Sequence, residues 1–100
     1  KMKYVLELKE EAVLDIKEAY LYYEEQRIGL GNRFLETLET YLERVQNYPE
    51  HYQIKRKPYR EAFIKDFPYI IIYEIEESKI IVYAVFNTWQ NPNKKPKKHV

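Results

Sequence analysis

The stretch YIIIYEIEESKIIVYAVF, residues 69–86, decides the fold. It holds two runs of Ile, Val and Tyr, Tyr69 to Ile75 and Lys79 to Phe86, on either side of Glu76, Glu77 and Ser78. β-Branched and aromatic side chains pack well on a pleated surface, so both runs read as strands. The short polar break between them predicts a hairpin. Each run is apolar on both alternating sets, as expected of central strands covered at least in part on both faces. The rest of the chain must supply the flanking strands and a covering layer.

Two shorter strands are expected upstream, at Tyr59 to Ile64 and at Tyr52 to Lys55, around Pro58. Ahead of Pro49 the periodicity becomes helical. Phe34, Leu38, Tyr41, Leu42, Val45 and Tyr48 form one apolar stripe, which predicts a helix from Asn32 to Asn47 ended by Pro49. Ala12, Ile16, Ala19, Tyr20 and Tyr23 form another, for a helix from Glu10 to Ile28, with Glu11, Asp15, Glu18 and Glu25 largely off the stripe. Gly29 and Gly31, the only glycines in the chain, bracket Leu30 and read as the turn between the helices, where a left-handed cap is needed. Tyr4 to Leu8 alternates, with Tyr4, Leu6 and Leu8 on the buried side. The order is β-α-α-β-β-β-β, an α+β fold with a helical hairpin packed on a mostly antiparallel twisted sheet. Residues 1–90 are expected to form one domain. Residues 91–100, with Pro92, Pro96 and Lys94, Lys95, Lys97 and Lys98, read as a basic, flexible C-terminal tail.

Composition narrows the function classes. The 100 residues carry 17 Lys and Arg against 16 Asp and Glu, a net charge of +1, which excludes a histone-like or acidic-tail protein. The absence of cysteine excludes disulfides, thiolate zinc sites and Cys nucleophiles, and favours a reducing cytoplasm. No run approaches the ~20 apolar residues of a membrane span, so no membrane partner is expected. Met2 reads as the natural start, with no signal peptide ahead of Tyr4. Charge is unevenly spread: residues 1–50 sum to −4 and residues 51–100 to +5. A basic half suits a polyanion or an acidic protein partner, or serves solubility alone.

Chemistry-bearing residues are few. His51 and His99 are not at ligand spacing, so no metal is expected. Ser78 is the only serine and falls in the predicted hairpin turn, which leaves a Ser-His-Asp triad without a scaffold. The two glycines make no phosphate-cradling loop, and no small-molecule cofactor is expected. Carboxylate pairs such as Glu11 and Asp15 read as solvated helix surface. The chain has 11 Tyr, 4 Phe and 1 Trp, several beside cations, and stacking faces next to cations are how unpaired bases are held. Lys55, Arg56, Lys57, Arg60, Lys65 and Trp89 are the candidate nucleic-acid or target contacts. Most tyrosines fall at core positions and also read as core. Arg60 reads as an anion or partner contact beside Lys57, or as a structural cation paired with Asp66 or Glu61.

A set of short motifs recurs in order along the chain. Ala12 and Asp15-Ile16 open the first helix and Tyr22-Tyr23 nears its end; Gly29-Leu30-Gly31 precedes Phe34-Leu35, and Tyr48-Pro49 closes the second helix. Arg60 precedes Phe67-Pro68-Tyr69 with Ile71 and Tyr73, and Val82, Ala84-Val85 and Asn91-Pro92 follow. In these features the chain resembles the RelE/ParE superfamily of toxins from bacterial type II toxin–antitoxin systems, and more closely its ParE-like branch. The resemblance implies a growth-inhibiting, cytoplasmic toxin of the plasmid-stabilisation kind, held inactive by a cognate antitoxin that lays a helix or extended segment across its groove or sheet edge. That partner is expected to be acidic where it meets the basic half. RelE-type members are ribosome-dependent mRNA endonucleases, with a basic residue after the aromatic that Tyr69 matches, cations on the preceding strand, and an Arg or His near the last strand. Here Ile70, Glu61, Phe63, Asn87 and Gln90 stand at those places. Ile cannot bind a phosphate and Asn or Gln cannot shuttle a proton near pH 7, so no catalytic residue is assigned. ParE-type members instead block DNA gyrase by binding it. An inactive member that only binds its antitoxin is the third reading. Lys94, Lys95, Lys97 and Lys98 are candidate antitoxin or target contacts, or serve solubility.

Overall fold

The computed structural model describes residues 3–89. The tail of residues 91–100 and Gln90 lie outside the described residues. Strand β1 (Val5–Leu8) leads into helices α1 (Glu10–Gln26) and α2 (Leu30–Asn47). A 3₁₀ turn at Pro49–His51 then opens the β region, with β2 (Ile54–Arg56), β3 (Tyr59–Phe63), β4 (Tyr69–Glu76) and β5 (Lys79–Asn87). The strands form one sheet in the order β1-β5-β4-β3-β2. β1 runs parallel to β5, and the other neighbours are antiparallel. The expected α+β order holds, with the sheet mixed at its β1 edge.

The β4–β5 hairpin is the centre of the sheet, paired from Tyr69 opposite Asn87 to Glu76 opposite Lys79. Alternation sends Tyr69, Ile71, Tyr73, Ile80, Val82 and Val85 into the core beneath the helices, where they meet Ala12, Ala19, Phe34, Leu38 and Val45. Ile70, Ile72, Ala84 and Phe86 form a second cluster with Tyr59 and Tyr83 on the opposite face. A register shift between Ile72 and Tyr73 leaves Tyr83 as an extra residue on β5. Such a bulge breaks the two-residue period, which is how the adjacent Tyr83 and Ala84 share one face. On the helix side, the Tyr73 hydroxyl donates to the Pro49 carbonyl and pins the 3₁₀ turn to the sheet.

The helical hairpin corrects the expected boundaries. α1 stops at Gln26, and Arg27 is extended, because the chain must turn before Gly29. Gly29, at φ 92°, is the residue before α2 rather than the cap of α1, and Gly31 is inside α2. Their roles differ. Gly29 supplies a left-handed backbone conformation. Gly31 supplies close approach: a Cβ there would lie 2.7 Å from the Tyr20 ring. The turn is closed by a side chain, since Glu24 accepts the Gly29 N–H at 2.9 Å and the Gly31 N–H at 3.0 Å. A carboxylate at a helix start satisfies donors that have no partner within the helix and suits the positive end of its dipole.

Candidate functional site

The sheet face turned away from the helices is where a nuclease of the resembled superfamily would need its cations. β3 presents Tyr59, Glu61 and Phe63 there, β4 presents Ile70, Ile72 and Glu74, and β5 presents Tyr83, Ala84 and Phe86. Glu61 and Glu74 are buried. The Tyr83 hydroxyl donates to Glu74 Oε1 at 2.8 Å, and the Tyr59 and Tyr83 rings meet edge to face. Burial, then the bond to Glu74 and its charge, hold the Tyr83 phenol above the usual tyrosine range. It therefore keeps its proton at neutral pH. Lys79 lies at the far end of this face, and its Nζ is 3.6 Å from Glu7 Oε1. Carboxylates set among apolar and aromatic side chains repel a phosphate rather than hold one. Among the described residues, no group of three His, Asp or Glu side chains could hold a metal ion.

The six cationic and aromatic residues singled out from the sequence do not converge. Lys55 and Arg56 lie on the exposed edge strand β2, and Lys57 is in the turn to β3. Lys65 and Trp89 are at the other end of the sheet, in the β3–β4 loop and just beyond β5. The length of β3, roughly 15 Å at ~3.3 Å per residue, separates the two groups. Trp89 is 77% exposed. Arg60 makes a structural tie, though not the carboxylate pairing expected. Its Nη1 donates to the Tyr52 carbonyl at 2.6 Å and the Glu50 carbonyl at 3.4 Å, tying the 3₁₀ turn to β3. Lys94, Lys95, Lys97 and Lys98 lie outside the described residues.

Two features on the helices went unread in the sequence. Asp15, expected in solvent, is half-buried and faces the sheet. β1 ends opposite Val82, and three residues further along β5 the Val85 N–H donates to Asp15 Oδ2 at 3.0 Å. Asp15, Glu18, Tyr22, Tyr69 and Asn87 line the cleft there. On the outer side of the hairpin, Ile16, Lys17, Tyr20, Leu21, Asn32 and Leu35 line an apolar groove. Leu21 in that lining is 60% exposed, and Leu14, further back on α1, is 51% exposed. Their spacing of one heptad marks a second apolar stripe on α1, and that was the available signal. A third hollow, beyond the end of α2, is lined by Tyr4, Arg44, Tyr48, His51 and Tyr52 among others. No described helix is long and apolar enough to cross a membrane.

Comparison with known proteins bears on these surfaces. Residues 6–92 match the family model described as ParE toxin of type II toxin-antitoxin system, parDE. Among solved structures, the chain is similar to the chromosomal ParDE TA system from P. aeruginosa, with a TM-score of 0.76 at 10% identity, over 85% of this chain and 96% of that one. At that identity the likeness speaks for the fold. No curated protein matches in sequence.

Proposed function

The chain belongs to the ParE toxin family of type II toxin–antitoxin systems, and from that membership we propose that it arrests growth by binding DNA gyrase, without cutting RNA. The observation that carries this reading is the make-up of the sheet face turned away from the helices, where, among the described residues, Glu61, Glu74 and the Tyr83 phenol stand and a nuclease would need phosphate-binding cations. A protein that lacks the means to stabilise a pentavalent phosphorus has to act through its target's chemistry. The setting is the bacterial cytoplasm, and plasmid stabilisation is the corresponding biological role. A cognate antitoxin seated on the apolar groove between α1 and α2 is the control on activity. The groove suits that role because Leu21 in its lining is too exposed to contribute much to the monomer's core.

Tight induction in bacteria, with pulse labelling of DNA and protein synthesis, tests the target. DNA synthesis is expected to fall first while translation persists, and purified gyrase is expected to lose supercoiling activity on addition of the protein. An early stop in translation with fresh mRNA cuts would reverse the reading in favour of a nuclease. Unchanged growth with folded protein present would leave antitoxin binding as the sole function.

A further inference from the structure

The hollow beyond the end of α2, about 650 Å³ in volume, takes no part in the reading above. That volume is in the range of small-ligand sites. Tyr4, Tyr48 and Tyr52 supply its ring surface, and Arg44, Asn47, Glu50 and His51 its polar groups. Much of the wall is held in place. The Tyr52 ring packs edge to face against His51 and Tyr73, with centroids 5.0 Å and 6.5 Å away. Arg60 donates to the Tyr52 and Glu50 carbonyls, Tyr73 to that of Pro49, and Gln46 Nε2 to that of Tyr4 at 2.8 Å. Fixed walls spare a ligand the cost of ordering them. The polar side chains, by contrast, are available. Arg44, Asn47 and Glu50 make no side-chain hydrogen bond or ion pair with any described residue, and the Arg44 guanidinium lies 4.8 Å from the Tyr41 ring centroid.

We propose that this hollow binds a nucleoside monophosphate, either free or as a unit of a single strand. The groups it holds match the parts of that ligand. The base stacks on tyrosine faces, the Glu50 carboxylate accepts from sugar hydroxyls, and the Arg44 guanidinium donates to the phosphate. Asn47 and His51 are left to hydrogen-bond the edge of the base. Other ligand classes fit worse. An ammonium ligand would suit the rings but is repelled by Arg44. A purely apolar ligand would bury Arg44, Asn47 and Glu50 without partners. Side chains hold the phosphate here, because the chain has no glycine-rich loop to cradle it. Positive charge continues past the hollow: β2 starts two residues after Tyr52, and Lys55 and Lys57 are both exposed. A strand longer than one nucleotide would meet these cations next. Tyr4 and Tyr52 pack on the helix side of the sheet, so the site is separate from the face weighed above for a nuclease. It binds without cutting, and it does not depend on the gyrase reading.

Titration of the full, isotopically labelled chain with AMP, CMP, GMP and UMP, followed by amide chemical shifts, tests this. At least one nucleotide is expected to saturate shifts at Arg44, Asn47, His51 and Tyr52 below about 5 mM. The matching nucleoside without phosphate, and inorganic phosphate alone, should each bind at least tenfold more weakly. Arg44→Ala should weaken the nucleotide at least tenfold and leave the nucleoside unchanged, whereas Tyr48→Ala should weaken both. Arg44 and Tyr48 are exposed, so both variants are expected to fold, and the nucleoside comparison needs no variant. A pentanucleotide of the same base that binds more tightly than the free nucleotide, with added shifts at Lys55 and Lys57, identifies a single strand as the source. Affinity no greater than the nucleotide's identifies the free nucleotide. Inorganic phosphate binding as tightly as the nucleotide overturns the proposal, as do shifts centred elsewhere or an Arg44→Ala variant that binds like the parent. Failure of every nucleotide and the strand to saturate overturns it too.

Discussion

Asp15 gives the molecule a pH dependence of its own. Burial raises its pKa from the ordinary 3.8 to about 6; the charges of Glu18 and Glu11 push the same way, and the Val85 N–H pulls it back. A raised carboxylate pKa means that the folded state binds a proton the unfolded chain has already released. Folded stability therefore falls as pH rises from about 4 to about 6, the window between the two values. A shift of this size would correspond to ~3 kcal/mol for a fully buried group, and solvent screening of a half-buried one reduces that to ~1 kcal/mol. Asp15→Asn keeps an oxygen that can accept the Val85 N–H but carries no charge to desolvate. Urea unfolding at pH 4.5 and pH 7 is expected to show the parent losing ~1 kcal/mol relative to the variant at the higher pH. Parallel pH profiles would show that Asp15 is better solvated than its position between α1 and β5 implies.

Among the elements, α2 depends most on a contact from outside itself. Its first turn has no acidic residue, and the residue before it is a glycine with no side chain to cap with. Glu24, on the preceding helix, supplies the acceptors for Gly29 and Gly31. Glu24→Ala removes two charge-assisted bonds at a helix start, and is expected to cost about 1–2 kcal/mol. A drop in the thermal midpoint with the secondary-structure signal intact is the result to look for; an unchanged midpoint would mean that water replaces the carboxylate without loss. Glu24 also marks where sequence reading stops. The strands and helices were legible because Ile, Val and Tyr runs and the Phe34, Leu38, Val45 stripe declare their period. The Gly29-Leu30-Gly31 turn was located but its parts were misassigned, since Gly spacing alone does not separate a residue needed for positive φ from one needed for close packing. The Asp15 to Val85 bond spans 70 residues and depends on where β1 stops, which no local pattern encodes. The sheet face was legible by subtraction: Glu61 and Phe63 were read as standing where cations are needed, and both do face that side. The Tyr83 to Glu74 bond on the same face follows from a bulge that the strand period could not forecast.

At the scale of the whole molecule, the two layers have opposite characters. The helical layer is acidic and carries an apolar groove; the sheet layer holds most of the basic side chains among the described residues, with Lys55, Arg56 and Lys57 at its β2 edge. An antitoxin that seats on the helical layer meets negative charge around an apolar seam, so its docking segment should flank its apolar residues with Lys or Arg there. Acidic residues would serve it only where it reaches the β2 edge. Binding should then depend chiefly on the seam. Leu14 and Leu21 are about half exposed, so replacing them removes little from the monomer's core. Full burial of a leucine contributes roughly 1.5–3 kcal/mol, and completing the burial of two half-exposed ones about half of that each. An aspartate at either position also adds a charge that the complex would have to desolvate. Leu14→Asp/Leu21→Asp is accordingly expected to weaken the cognate antitoxin by ~100-fold or more, which is ~2.7 kcal/mol. The thermal midpoint of the free toxin should move by only a few degrees. Lys55→Gln/Lys57→Gln should weaken binding far less, and only at low salt. Titration calorimetry of the parent and both variants separates the two layers. If the lysine pair causes the larger loss, the antitoxin is held by the sheet edge, and the groove between the helices is left for the target.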